Sequence, residues 1–324
     1  MSDATAADHR MTGSRVLVTG ANGFIGRSIC RYVGDFLVPT FGTDRTLGQE
    51  DGFWGLDLLD VDALGTVLDQ CAPSIVFHAA GLVGSDDSEA LHKAHVETTR
   101  ALLSAVQKSC PAARVVILGS AAEYGVHLAS DGLIQEGAEP LPQSAYGRSK
   151  LAQSEVAQQM AELYDLDVVR TRVFNTIGPG QGLQLVAGAM TRRLHSALTQ
   201  GAQDLEVYDP DSCRDFLDVR DVARLLWIVA SRLEREADRP PVHIASGQAT
   251  SIVELARGLL EVAGVENRIQ LKRVPTLLST SLIGKPSTLS RLLTDSSIRQ
   301  IGLDQSLADM WKWEIQQHKG DRIV

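Results

Sequence analysis

Residues 16–26, "VLVTGANGFIG", constrain the fold more than any other stretch of this chain. An apolar, β-branched run enters a glycine-rich turn, and a helical pattern follows at once. Gly20 permits the tight turn, Gly23 lets the backbone approach a pyrophosphate, and Gly26 lets the new helix pack against the strand. The first turn of such a helix offers free N–H groups and a partial positive charge, which suit phosphate oxygens. The glycine spacing is one residue longer than the simple Gly-x-Gly-x-x-Gly, and Asn22, Phe24 and Ile25 complete the turn as candidate cofactor contacts.

Strand-like runs at 16–19, 38–42, 75–78, 115–118 and 168–173 alternate with helical patterns such as 90–108 and 145–164. Alternation of this kind predicts a parallel sheet with right-handed crossovers and helices on both faces. Beyond Asn175 the pattern loosens into the loop "NTIGPGQG", a long helical pattern "FLDVRDVARLLWIVASRL" and a short strand "VHIASG". The expected fold is therefore α/β: a Rossmann-like doubly wound parallel sheet with a smaller C-terminal α/β substrate domain. Residues 1–14 read as a disordered leader and 15–175 as the dinucleotide-binding domain, with 216–246 returning to it. Residues 176–215 and 247–324 are then the substrate-binding domain.

The formal net charge of −9 argues against nucleic acid or an anionic membrane as a partner, because both need basic patches. There is no apolar run of spanning length and no apolar signal-peptide core, so the expected location is cytoplasmic. Cys30, Cys71, Cys110 and Cys213 are scattered without metal-like spacing and read as free thiols.

The acidic residue after the second strand is Asp44, placed to accept from adenosine ribose hydroxyls, which favours NAD(H). The guanidinium of Arg45 beside it suits a 2′-phosphate, which keeps NADP(H) open. Asp57 and Leu58 are candidate adenine contacts. Ala79, Ala80 and Gly81 end a strand with small side chains that let a cofactor lie close, and His78 reads as structural.

Tyr146 and Lys150 stand i and i+4 at the start of a helical stretch, on one face. A tyrosine has an ordinary pKa of about 10. A lysine ammonium about 5 Å away is expected to stabilise the phenolate by roughly 3 kcal/mol, about two pKa units. Tyr146 then exchanges a proton with a substrate oxygen, Ser120 hydrogen-bonds the same oxygen, and a nicotinamide exchanges hydride with the carbon.

The glycine turn, the strand-end serine of "ILGSAAEYG" and the Tyr-x-x-x-Lys pair together resemble the extended short-chain dehydrogenase/reductase family. That family comprises nucleotide-sugar epimerases, dehydratases and 4-ketoreductases, and the resemblance runs from Arg15 to about Leu303. It implies a nucleotide-sugar substrate held by Asn175 in "RVFNTIGPGQ", Arg214 in "CRDFLDVRD" and Lys285 in "KPSTLS", with Glu123 also a substrate contact. Lys285 stands where the family has arginine, Thr288 where it has an acid, and His95 where it usually has asparagine. Dehydratases of the family carry acidic or polar residues directly after the strand-end hydroxyl, where this chain has Ala121 and Ala122. The pattern looks most like GDP-4-keto-6-deoxymannose reductases, so 4-keto reduction is the favoured activity. A 4-epimerase retaining NAD is the alternative, and a non-catalytic dinucleotide sensor is a third reading. The resemblance also implies a homodimer. The apolar residues Val96, Leu102, Leu103, Val106, Leu151, Val156, Met160 and Leu163 are expected to feed a four-helix interface.

Overall fold

Strand β1 (Val16–Thr19) is buried along its whole length, so it needs a neighbour on each edge and helices on each face. In the computed structural model, which describes residues 13–48, 51–125, 132–236, 238–275, 280–293 and 300–318, it lies inside a seven-stranded parallel sheet. The other strands are β2 (Thr40–Asp44), β3 (Phe53–Gly55), β4 (Ile75–His78), β5 (Arg114–Ser120), β6 (Val168–Val173) and the edge strand Val242–Ile244. Their order is β3-β2-β1-β4-β5-β6 and then Val242–Ile244. Residues 1–12, most of the expected leader, lie outside the described residues.

Alternate residues of each strand feed opposite cores. Val16, Val18, Phe77 and Val116 pack with helices α1 (Phe24–Gly34) and α7 (Val219–Arg232). Leu17, Val76, Val115 and Ile117 face α2 (Val61–Cys71), α4 (Thr98–Ser109) and α5 (Ala145–Tyr164). Each such side chain contributes about 1.5–3 kcal/mol on burial. Between α2 and α4 come a short helix α3 (Ser88–His92) and a π-helical turn, Lys93–Glu97. A third core joins α6 (Val186–Thr199), the parallel pair Asp204–Tyr208 and Gln270–Val274, and the helices Ile252–Ala263 and Leu303–Gln317.

Two expectations change. Residues 216–218 are a strand, Phe216–Asp218, pairing parallel with Asn175–Ile177, not the start of the long helix. Asp218 caps α7 by accepting from the Arg220 N–H, and an N-cap needs extended backbone before the helix. Val96, Leu102, Leu103, Val106, Val156 and Met160 are buried in the intramolecular core, so they cannot feed a dimer interface. Of that set only Leu151, partly buried, and Leu163, exposed, face outward.

Candidate active site

Gly20 sits at φ +69°, and a Cβ there would lie 2.7 Å from the Ala80 backbone. A Cβ on Gly26 would lie 2.0 Å from the Gly20 carbonyl oxygen. Both positions therefore require glycine, one for its dihedral and both for contact. Gly23 caps α1, which has no side-chain cap and no acidic residue in its first turn. Beside this turn opens a cavity of about 320 Å³, lined by Gly20, Gly23, Asp44, Arg45, Asp57, Leu58, Ala79, Ala80 and Gly81 among others. A Cβ-free cradle, an uncapped helix N-terminus and an acid on β2 fit the pyrophosphate and ribose of a dinucleotide. Asn22, Phe24, Ile25 and Gly26 do not line that cavity. The Asn22 amide donates to Thr46 Oγ1 at 2.8 Å, and Ile25 packs on the core beneath. Asp44 Oδ1 accepts from the Thr46 N–H and hydroxyl, which fixes the carboxylate, while Arg45 is exposed at the rim.

Ser120 ends β5, and the chain then closes a 3₁₀ turn over Ala121–Glu123. Ser120 Oγ accepts from the Ala122 N–H at 3.2 Å, and Glu123 Oε1 accepts from the Ser120 N–H at 2.9 Å. Helix α5 starts against this turn, because Gly147 lets the Ala122 carbonyl approach; a Cβ there would sit 2.4 Å from its oxygen. That contact brings Tyr146 beside Ser120. Lys150, buried one turn on, donates to the Leu118 carbonyl and to Gln153 Oε1, each at 2.6 Å. The three catalytic candidates therefore converge at the end of β5.

Their electrostatics differ from expectation. Burial pushes the Tyr146 phenol up to about 12; the Ser120 hydrogen bond opposes this and the Glu123 charge adds to it. Burial pulls Lys150 down to about 8, against the raising influence of Glu123. Tyr146 is therefore raised where a lowering was expected, because desolvation is the largest influence on it.

Glu123 is not a substrate contact. Its carboxylate is fully buried, with Oε1 on the Ser120 N–H and Oε2 accepting from Arg172 Nε at 2.8 Å. The Arg172 guanidinium also lies 4.3 Å from the Tyr124 ring centroid. Glu123 thus holds the serine from behind. His78 is structural, as expected, bridging Thr19 Oγ1 at 2.8 Å and Thr99 Oγ1 at 3.0 Å. His95 lies edge-on to the Tyr146 ring. Its Nε2 accepts from the Leu82 N–H, so its Nδ1 carries the proton and donates to Ser149 Oγ at 2.8 Å.

The segments carrying Asn175, Arg214 and Lys285 meet around a residue that sequence reasoning passed over, Asp215. Its buried carboxylate accepts from the N–H groups of Ser246, Gly247 and Gly284 and from the Ser246 hydroxyl. The Asn175 N–H donates to its carbonyl. The usable signal was the acid beside Arg214 before an apolar pair. Arg214 donates to the Cys213 and Thr280 carbonyls, and Lys285 is exposed. Thr288 is buried and turned inward: its N–H and hydroxyl both donate to Glu136 Oε2, at 3.2 and 2.8 Å. Glu136, a buried acid from elsewhere in the chain, also accepts from the His243 N–H at 3.1 Å. Among the described residues no three His, Cys, Asp or Glu side chains group to hold a metal ion, and no helix is long and apolar enough to cross a membrane.

The parallel sheet order, the glycine cradle and the Ser-Tyr-Lys set define an extended short-chain dehydrogenase/reductase. The chain belongs to the NAD dependent epimerase/dehydratase family, whose model matches residues 16–245. It is 30% identical to the dTDP-6-deoxy-L-talose 4-dehydrogenase (NAD(P)(+)) of Kitasatospora kifunensis, covering 79% of this chain and 81% of that one. Identity to the GDP-6-deoxy-D-mannose reductase of Pseudomonas aeruginosa is also 30%, over 79% and 82% of the two chains. The structure of RMD from Pseudomonas aeruginosa complexed with NADPH superposes with a TM-score of 0.79 at 28% identity, covering 94% of this chain and 100% of that one.

Proposed function

We propose that this enzyme is an NAD(P)-dependent oxidoreductase that reduces a 4-keto-6-deoxy sugar carried on a nucleoside diphosphate. The observation that carries the reading is the convergence of Ser120, Tyr146 and Lys150 at the end of β5, with Lys150 buried one turn along α5. A bound nicotinamide supplies hydride; the chain's own residues handle the oxygen and the proton. Ser120 and Tyr146 hold the substrate carbonyl, and Tyr146 gives its phenolic proton to that oxygen as it becomes an alcohol. A phenol raised to about 12 is in the proton-bearing form this step requires. Alanines at 121 and 122 leave elimination of water without the acid and base it needs.

Asn175, Arg214 and Lys285, gathered around Asp215, are the proposed diphosphate contacts. Charge-assisted bonds of this kind contribute about 1.5–3 kcal/mol each. Relatives named for 6-deoxy sugars on dTDP and GDP support the substrate class. Consumption of reduced cofactor with 4-keto-6-deoxy nucleotide sugars tests the reading, with NADH and NADPH compared. If Asp44 accepts from the ribose, NADH binds more tightly. Tyr146→Phe is expected to lower turnover roughly 10²-fold with cofactor affinity unchanged. No turnover with any such sugar, together with no calorimetric binding of UDP, GDP or dTDP, would remove the nucleotide-sugar assignment.

A further inference from the structure

Thr19, His78, Thr99 and Gln153 take no part in the chemistry above, yet all four are completely buried between β1, β4, α4 and α5. Polar side chains in such a position cost stability unless every group is bonded, and leucine or valine would fill the same layer. Their hydrogen bonds converge on Thr99. Thr99 spends its hydroxyl proton on the His95 carbonyl at 2.6 Å and accepts from Gln153 Nε2 at 2.9 Å. His78 Nε2 must therefore be the donor to Thr99, which leaves Nδ1 to accept from Thr19. With its amide nitrogen so engaged, Gln153 turns Oε1 to the Lys150 ammonium at 2.6 Å. The chain ends on a catalytic candidate. Two of the three N–H groups of Lys150 are held by Gln153 and the Leu118 carbonyl, and the third has no partner among the described residues.

We propose that Gln153, anchored by the Thr19–His78–Thr99 chain, is a positioning residue that keeps Lys150 charged and oriented and thereby sets the alkaline limit of catalysis. The groups facing Lys150 are few. Tyr146 lies on its own helix, His95 on the π-helical turn, His78 on β4 and Glu123 beyond β5. Both imidazoles are neutral, one fixed by Thr99 and the other by the Leu82 N–H. Glu123 is already shared with Arg172. The neutral carbonyl of Gln153 is thus a principal support of the buried ammonium, and its removal favours loss of the proton.

The test is an NMR titration of protein labelled with ¹³C at the lysine ε-carbon, without ligand, with Lys150→Met to assign the signal. From a starting midpoint of about 8, Gln153→Met is expected to lower the Lys150 midpoint by about one pH unit, and Gln153→Glu to raise it by about as much. Thr99→Val, which frees the amide to turn, falls between wild type and Gln153→Met. In activity, the alkaline limb of kcat moves in the same direction as each midpoint while KM for the sugar stays. That arm rests on the acid role proposed for Tyr146, whereas the NMR arm does not, so the two failures are distinguishable. If Gln153→Met does not fold, Gln153→Glu, close in shape, decides. An unmoved Lys150 midpoint in Gln153→Glu and Thr99→Val overturns the proposal whatever the activity.

Discussion

Glu123 illustrates how a single residue changes meaning between sequence and structure. In the sequence it follows two alanines at the end of a strand, where an acid reads as facing the ligand. In the fold it is the third residue of a reciprocal cap on Ser120 and the partner of a buried arginine. Removing one member of a buried ion pair leaves the other charge uncompensated, at a cost of about 3–5 kcal/mol. Glu123→Gln is therefore expected to lose stability of that order in urea denaturation. A loss below about 1 kcal/mol would mean that water reaches Arg172. The alanines before it behave as read, since neither carries a group able to move a proton.

At the scale of elements, the strand–turn–helix at residues 16–34 is set by local contacts alone. Gly26→Ala puts a Cβ against the Gly20 carbonyl oxygen, and neither backbone can yield without opening the turn. We expect this variant to lose dinucleotide binding by at least tenfold in a fluorescence titration and to melt several degrees lower, because overpacking of this kind costs about 1–3 kcal/mol. Unchanged cofactor affinity would count against the cradle. The region 88–109 shows the opposite case. Its apolar spacing predicts one helix, but a π-helical turn over Lys93–Glu97 interrupts it and carries His95 in beside Tyr146. Such a turn re-aims side chains by one position, and periodicity does not register it.

At the scale of the whole molecule, three imidazoles among the described residues are held neutral in the interior. His78, His95 and His243 are each pulled down to about 3, chiefly by burial. Their folded pKa lies below the ordinary value of about 6.5, so the unfolded chain binds protons that the folded chain refuses. Stability is fully present above about pH 6.5 and falls as pH drops toward 3, by up to about 1.4 kcal/mol per pH unit for each histidine. The urea midpoint is expected to decline steadily from pH 7 to about pH 5; a flat profile would mean that these rings are solvated. Assembly is the other whole-molecule property. Most of the apolar residues that suggested a homodimer are buried within one chain, and the π-helical turn, α4 and α5 expose Glu97, Arg100, Arg148 and Glu155. If a dimer forms on this face it is held by charge, and light scattering then gives the mass of two chains at low salt and a shift toward one as salt rises. A mass independent of salt would place the interface elsewhere.

The sequence by itself determined most strands of the sheet, the glycine turn and the Tyr146–Lys150 spacing. All of these rest on short-range patterns: strand period, glycine sterics and helical spacing act within a few residues and need no distant partner. Only the tertiary structure decided which polar groups face the ligand and which are buried. Glu123 meets Arg172 across 49 residues, Thr288 meets Glu136 across 152, and Asp215 gathers Ser246, Gly247 and Gly284. Each carboxylate has the same intrinsic chemistry wherever it stands in the chain. Its role is set by desolvation and by the donors around it, and those are supplied by segments that only folding brings together.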